Sequence, residues 1–395
     1  MPRFLDLIAP LCEDEFFEAF YGRKFYIGKV GEDDLRTLFG WRELNRVLDR
    51  MTVENRGKLR LARGRTADED PDDIWLPNGN LASQEVARKV RAGYTFIFNS
   101  LQLYADELKC LGEDMEDVFR EEVNFNCYVS MRPQVGFGMH WDDHDVFALQ
   151  LEGRKYWVIH DFTEASPIDR RNGSAMPVGG APLWEGYLSA GECLYLPRGM
   201  WHSAVSTGSP SMHITCGVNG HKPLDILSWI LACAKDCPEL RRNFFPPNMS
   251  GEEKRQLAVE IGTWLSESVG ASIVDRYWSD RQMHRAPRQA AAFPDSIVVE
   301  EEAFLDYDLH YFGPSDPEVW ESEMGYKAVV GGQEISLARG LLNVFIQLTA
   351  KRRLAGRELR AIAMNDVSND QILAFVDDLE KSGAAGRRKI VAHTN

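Results

Sequence analysis

The sequence predicts an α+β protein: a barrel or sandwich of short antiparallel strands, then a mainly helical second half. Three observations predict it. Between residues 121 and 218 the segments NFNCYVSM, DVFALQL, RKYWVIHDF, GECLYLP, HSAVST and SMHITCGV follow one another, separated by Gly, Pro, Asp and Ser. Closely spaced strands with turn residues between them are the pattern of a β layer. After Val218, DILSWILACAKDCPELRRNFF and GEEKRQLAVEIGTWLSESVG space their apolar residues as amphipathic helices. The chain also has 395 residues, more than one ordinary domain holds.

Ahead of the strand region, CEDEFFEAFYG has helical spacing of Leu11, Phe16, Phe17 and Phe20, and KFYIGKV reads as a strand. GWRELNRVLDRM and SQEVARKVRAG read as helices with a polar loop, TADEDPDDIWLPNGN, between them; TFIFNSL is a strand. A long loop, TEASPIDRRNGSAMPVGGAPLWEG, sits at the rim of the barrel. Beyond Val218 no further strands are expected. VVEEEAFLDYDLHYFGPSDPE reads as a linker or lid-like segment. ISLARGLLNVFIQLTAKRRLAG, RELRAIAMN and SNDQILAFVDDLEKSGAA form three closing helices, with Asn365 and Ser368 marking a break before the last.

Hydrophobic residues make up 44% and aromatic residues 11%, enough for a packed core rather than disorder. The formal net charge of −15 argues against phosphate-backbone binding and favours a cationic partner. AFVDDLEKSG is too acidic for a recognition helix, and Arg387, Arg388 and Lys389 read as a solvated end. The seven cysteines are scattered without a CxxC pair, as in a reduced, cytoplasmic protein without a zinc knuckle. The opening residues turn acidic too early for a signal peptide, and no stretch approaches the roughly 18 apolar residues of a membrane span.

The segment HWDDHDVFALQLEGRKYW carries the chemistry. On an extended strand, His140 and Asp142 would share one face. His202 follows in YLPRGMWHSAV. Two histidines and a carboxylate on a barrel wall form a facial triad, which leaves positions of an octahedral iron for a bidentate 2-oxo acid and O2. Spacing alone leaves Asp143 and Asp145 as competing carboxylates, and His144 as a rim residue. Lys155, just past a glycine turn, would need an anion if it were buried; the competing arrangement points Arg154 inward and leaves Lys155 in solvent. Tyr128 alternates with Asn126 and Ser130 toward one side and can share that anion; otherwise it is a core aromatic.

Asn126, Tyr128, HWD, DVF, Gln150, GRKYW, LPRGMWH and SMHIT together resemble the JmjC-type ribosomal oxygenases of the cupin group, over roughly residues 90–220 and more loosely beyond. That resemblance implies a double-stranded β-helix (jelly-roll) barrel over 1–220, a helical dimerisation region over 221–290, and a linker with a winged-helix-like domain over 291–395. It implies Fe(II) held by His140, Asp142 and His202. Lys155 and Tyr128 would hold the 2-oxoglutarate carboxylate, and Asn126, in the same binding set, would line the substrate side. The implied reaction is hydroxylation of an arginine or histidine residue in a peptide or protein, by a homodimer. The N-terminal segment and the loop after Phe162 depart from the family pattern, which leaves peptide natural-product tailoring as another substrate class. Lysine demethylation by the same chemistry and a non-catalytic metal-binding scaffold are the competing readings; a scaffold has no use for Lys155 and Tyr128.

Overall fold

The computed structural model describes residues 2–63, 66–69, 72–133, 138–164, 166–168, 180–270, 272–284, 307–311, 313, 317, 319–330, 332–363 and 367–389. Its contacts divide the protein into two units, Met1–His221 and Lys222–Asn395.

The first unit holds strands β1 (Tyr26–Lys29), β2 (Leu59–Arg63), β3 (Thr66–Glu69), β4 (Thr95–Phe98), β5 (Val123–Ser130), β6 (Asp145–Glu152), β7 (Arg154–Ile159), β8 (Trp184–Ser189), β9 (Glu192–Leu196), β10 (His202–Ser206) and β11 (Ser211–Val218). They form an eight-stranded sheet, β1-β9-β6-β11-β5-β4-β2-β3, and a three-stranded sheet, β10-β7-β8. The large sheet is covered on both faces, which explains why β6 is buried along nearly its whole length.

Strand periodicity decides what each face carries. Phe125 and Cys127 of β5, Phe147 and Leu149 of β6, and Ile214 and Cys216 of β11 join a core with Phe4, Phe16, Leu108 and Met115 from the helical side. The residues between them face the small sheet, where Val146, Ala148 and Leu194 pack on Trp157, Ile159 and Leu188. Helix Asp106–Phe119 buries Leu108, Leu111, Met115 and Phe119. It packs close to the sheet because Gly112 has no Cβ; one would stand 3.1 Å from the Phe125 ring.

Gly153 is where the backbone leaves the large sheet for the small one. Its φ of +67° is left-handed, and a Cβ there would stand 2.4 Å from the Pro210 carbonyl oxygen. This crossing sets which way β7 faces: Lys155 is buried, while Arg154 lies outside over the Tyr187 ring at 4.3 Å.

Several sequence expectations are corrected. The polar loop TADEDPDDIWLPNGN contains β3, paired with β2, and a short 3₁₀ turn at Asp72–Ile74. The long rim loop ends in β8, paired with β7, and its residues 169–179 lie outside the described residues. Glu32–Leu38, Asp106–Phe119 and Ile273–His284 are helices beyond those expected.

Nor do the strands stop at Val218. The second unit has six: β12 (Tyr307–Tyr311), β13 (Val319–Ser322), β14 (Gly325–Val330), β15 (Gln333–Leu337), β16 (Arg353–Ala355) and β17 (Ala385–Lys389), in two three-stranded sheets among the described residues. The expected lid-like linker therefore contains β12, and most of its remainder lies outside the described residues. ISL of the first expected tail helix is strand, and Arg387–Lys389 lie in β17. Helices Leu342–Lys351, Gly356–Ile362 and Asn369–Lys381 form as expected. Ser368 caps the last by accepting from Gln371 N–H at 3.2 Å; Asn365 lies outside the described residues. No described helix is long and apolar enough to cross a membrane.

Candidate metal and cosubstrate site

His140 and Asp142 do not lie on a regular strand. They occupy an irregular stretch entering β6, fastened by a two-residue bridge in which His140 N–H donates to His202 C=O at 3.0 Å and His202 N–H returns the bond at 2.7 Å. Gly199 N–H donates to the Asp142 carbonyl at 2.8 Å, so the turn before β10 also holds this segment. The ligand atoms of His140, Asp142 and His202 all lie within 4.8 Å of one another. They form the only such group of three metal-ligating side chains among the described residues.

The imidazoles are oriented for a metal. His140 Nδ1 faces the Gly138 carbonyl at 2.9 Å and His202 Nδ1 the Met200 carbonyl at 3.0 Å. A ring nitrogen on a carbonyl must carry the proton, so Nε2 keeps the lone pair in both rings. His202 Nε2 lies 3.5 Å from Asp142 Oδ2. Trp157 stacks on His202 at 6.0 Å and fixes its ring plane. This donor set, two imidazoles and one carboxylate on one side, fits a facial metal site.

The competing carboxylates are placed elsewhere. Asp143 sits 3.0 Å from His144 Nδ1. Asp145 is buried and accepts from the Tyr195 hydroxyl at 2.6 Å; burial raises its pKa, opposed by that hydrogen bond. Tyr195 also accepts from Gly22 N–H at 2.9 Å, which makes Asp145 part of a structural anchor for the N-terminal segment.

Beyond the triad lies a cavity of about 260 Å³ lined by Asn126, Tyr128, Ser130, Lys155, Trp157, His213 and others. Lys155 is 4% exposed, and no acidic side chain among the described residues is paired with it. Burial pushes its pKa down from 10.5 to about 7. Ser130 Oγ, Trp157 Nε1 and His213 Nδ1 are buried around it without a hydrogen-bond partner. A buried cation among unsatisfied polar groups is costly unless an anion completes it. These residues fit a carboxylate.

The structure thus brings His140, Asp142 and His202 together, and places Lys155, Tyr128 and Asn126 on the same cavity. Sequence reading missed His213 and Trp157. His213 stacks on Tyr128 at 4.8 Å and 11°, and burial first, then Lys155, holds its pKa well below the usual histidine value. The available signal was alternation: His213 pairs with Tyr128 across the β11–β5 ladder, so a strand placing Tyr128 inward places His213 there too.

Fold and triad together make a barrel with a candidate metal site, the arrangement expected of a JmjC domain. A family model described as "JmjC domain" matches residues 102–225. The bifunctional lysine-specific demethylase and histidyl-hydroxylase NO66 of Dictyostelium discoideum is 30% identical over 215 residues, 53% of this protein and 41% of that one. The sequence therefore spans less than half of that curated relative. Among solved structures, Escherichia coli ycfD superposes with a TM-score of 0.58 at 15% identity, covering 96% of this protein and 99% of that one. The E. coli ribosomal oxygenase YcfD in complex with cobalt and 2-oxoglutarate gives 0.56 at 15%, covering 96% and 98%. At such identity the likeness is one of fold. Residues 102–225 thus match a JmjC domain, and the protein is similar over about half its length to the NO66 proteins and in fold to YcfD.

Proposed function

We propose that the protein is an Fe(II)- and 2-oxoglutarate-dependent oxygenase that hydroxylates a C–H bond on a residue of a peptide or protein. The observation that carries this reading is one cavity joining a His–Asp–His triad to a buried, anion-seeking lysine. His140, Asp142 and His202 would hold the iron; Lys155 and Tyr128 would hold the distal carboxylate of 2-oxoglutarate. When bound, iron, 2-oxoglutarate and O2 supply the oxidising power for an unactivated C–H bond. The protein's own residues orient the metal ligands, neutralise the cosubstrate's charge and keep water out with the Trp157 and Val146 walls. The same chemistry on an N-methyl group would demethylate lysine, and the name of the Dictyostelium relative carries both activities. The direct test is succinate release from 2-oxoglutarate with Fe(II), together with a mass gain of one oxygen on peptides incubated with the protein. Net charge favours a segment with basic or polar residues, so the rate should fall as ionic strength rises. Turnover of small lipophilic metabolites without salt dependence contradicts the peptide assignment.

The second unit we read as a helical dimerisation region followed by a winged-helix-like domain. Helix Gly251–Ser268 has no buried residue along its 18 positions, although Val259, Ile261 and Leu265 are exposed on it. Helix Pro223–Cys233 exposes Leu224, Leu227 and Leu231. Trp229 and Ile230, on the same helix, are instead engaged within the protein: Trp229 Nε1 donates to Asp280 at 2.9 Å and Ile230 is 3% exposed. An apolar helix face of this kind is normally covered. Light scattering at micromolar concentration should give twice the monomer mass; a monomer mass contradicts the assignment.

A further inference from the structure

We infer that Phe162, Thr163 and Pro167, at the start of the rim loop, are positioning residues for the metal ligands, acting through the Thr163–Trp201 hydrogen bond and the Pro167–Gly199 contact. This deepens the reading of His140, Asp142 and His202 as ligands, and rests on it. All three are tied to one turn, residues 197–201. Gly199 N–H donates to the Asp142 carbonyl at 2.8 Å, and the Met200 carbonyl faces His202 Nδ1 at 3.0 Å. His202 is joined in turn to His140 by backbone bonds of 3.0 and 2.7 Å. A displacement of this turn therefore reaches every ligand.

The rim residues hold the other side of the turn. Trp201 is 4% exposed, so its indole N–H needs a partner within the protein. Thr163 Oγ1 accepts that bond at 2.8 Å, although Thr163 itself lies at the surface. The Trp201 carbonyl accepts from His160 N–H at 2.8 Å, so main chain and side chain of one residue are both tied to the chain leaving β7. Pro167 is buried against Gly199. With a left-handed φ of +87°, Gly199 lets the proline come so close that a Cβ would stand 2.5 Å from Pro167 Cδ and 3.5 Å from Phe162 Cδ1. Phe162 also packs on the cluster that contains Met200. The rim thus grips the turn at Gly199 and Trp201, on either side of the residue that orients His202. Metal ligands tolerate little displacement, and the groups that orient them share that constraint. By linkage, whatever steadies the rim residues tightens the metal site, and metal binding steadies the rim.

The test reads the metal site without turnover. Co(II) is titrated into the full-length, metal-free protein by calorimetry and its visible absorption bands are recorded, with a thermal melt of the metal-free protein alongside. Thr163→Val removes the acceptor at a surface position and keeps the side-chain shape; Trp201→Phe removes the donor. Each should weaken Co(II) binding by about three- to tenfold, less than the roughly 10- to 100-fold lost with a group that bonds a ligand directly, and should shift the absorption bands. Thr163→Ser, which keeps the hydroxyl, should restore both. The double variant should be no worse than either single one, because both remove the same bond. Thr163→Val alone serves if Trp201→Phe does not fold. Unchanged affinity and bands in these variants overturn the inference and leave the ligand assignment intact, as does a loss of affinity that Thr163→Ser fails to restore. Absence of Co(II) binding by the unmodified protein overturns the ligand assignment and this inference with it.

Discussion

Asp142→Ala should abolish succinate release and lower metal affinity by more than about 100-fold, beyond what loss of an outer-shell partner costs. The fold should persist, because the segment bearing Asp142 is held by backbone bonds from Gly199 and by the neighbouring His140–His202 bridge. Metal titration by calorimetry and a thermal melt without metal separate the two effects. Asp143→Ala should retain turnover, since that carboxylate is turned to His144. Asp145→Asn should mainly destabilise, because it weakens a buried hydrogen bond to Tyr195. Full activity in Asp142→Ala would pass the ligand role to one of these neighbours.

Lys155→Ala should weaken 2-oxoglutarate binding by about 1.5–3 kcal/mol, roughly 10- to 150-fold, the worth of a charge-assisted hydrogen bond in a buried site. Lys155→Arg should be milder. The pH dependence follows from burial, which lowers the lysine to about 7. Below that pH it is charged and ready for a carboxylate. Above it, binding must take up a proton, so affinity should fall by up to about tenfold per pH unit as pH rises past 7. The sign for stability is opposite. In the ligand-free protein the folded state holds this proton less tightly than the unfolded state, whose lysine titrates near 10.5, so this residue's contribution improves as pH rises from about 7 to 10.5. Calorimetric 2-oxoglutarate titrations in buffers of different ionisation enthalpy read the proton uptake directly. A flat profile, or unchanged affinity in both variants, would remove Lys155 from the cosubstrate site.

Where buried apolar residues crowd a short segment between turn residues, the fold could be read from the sequence. β5, β6, β7, β9 and β11 each carry apolar residues dense enough to announce a strand. β3 and β8 did not: TADE has no large apolar residue, and in WEGYLS only Leu188 is buried. The second unit's strands were missed because they are short and stand between stronger helical patterns, as ISL stands before Leu342–Lys351. At the site, spacing identified the HWD pair but assigned it an extended strand, whereas the backbone there is shaped by bonds to His202 and Gly199, contacts distant in sequence. The choice among Asp142, Asp143 and Asp145 needed those contacts, and so did the inward turn of Lys155, which depends on Gly153 changing sheets.

The two-faced large sheet has a consequence for how the site can vary. Phe125 and Cys127 alternate with Asn126 and Tyr128 along one strand, and Ile214 and Cys216 with His213 and Thr215 along its partner. Core and cavity are thus front and back of the same backbone. The cavity floor has no hinge of its own, and a void opened behind it at Phe125 or Ile214 is felt in front as a displaced Tyr128 or His213. Cosubstrate grip and heat resistance are therefore inherited together, and drift in one is constrained by the other.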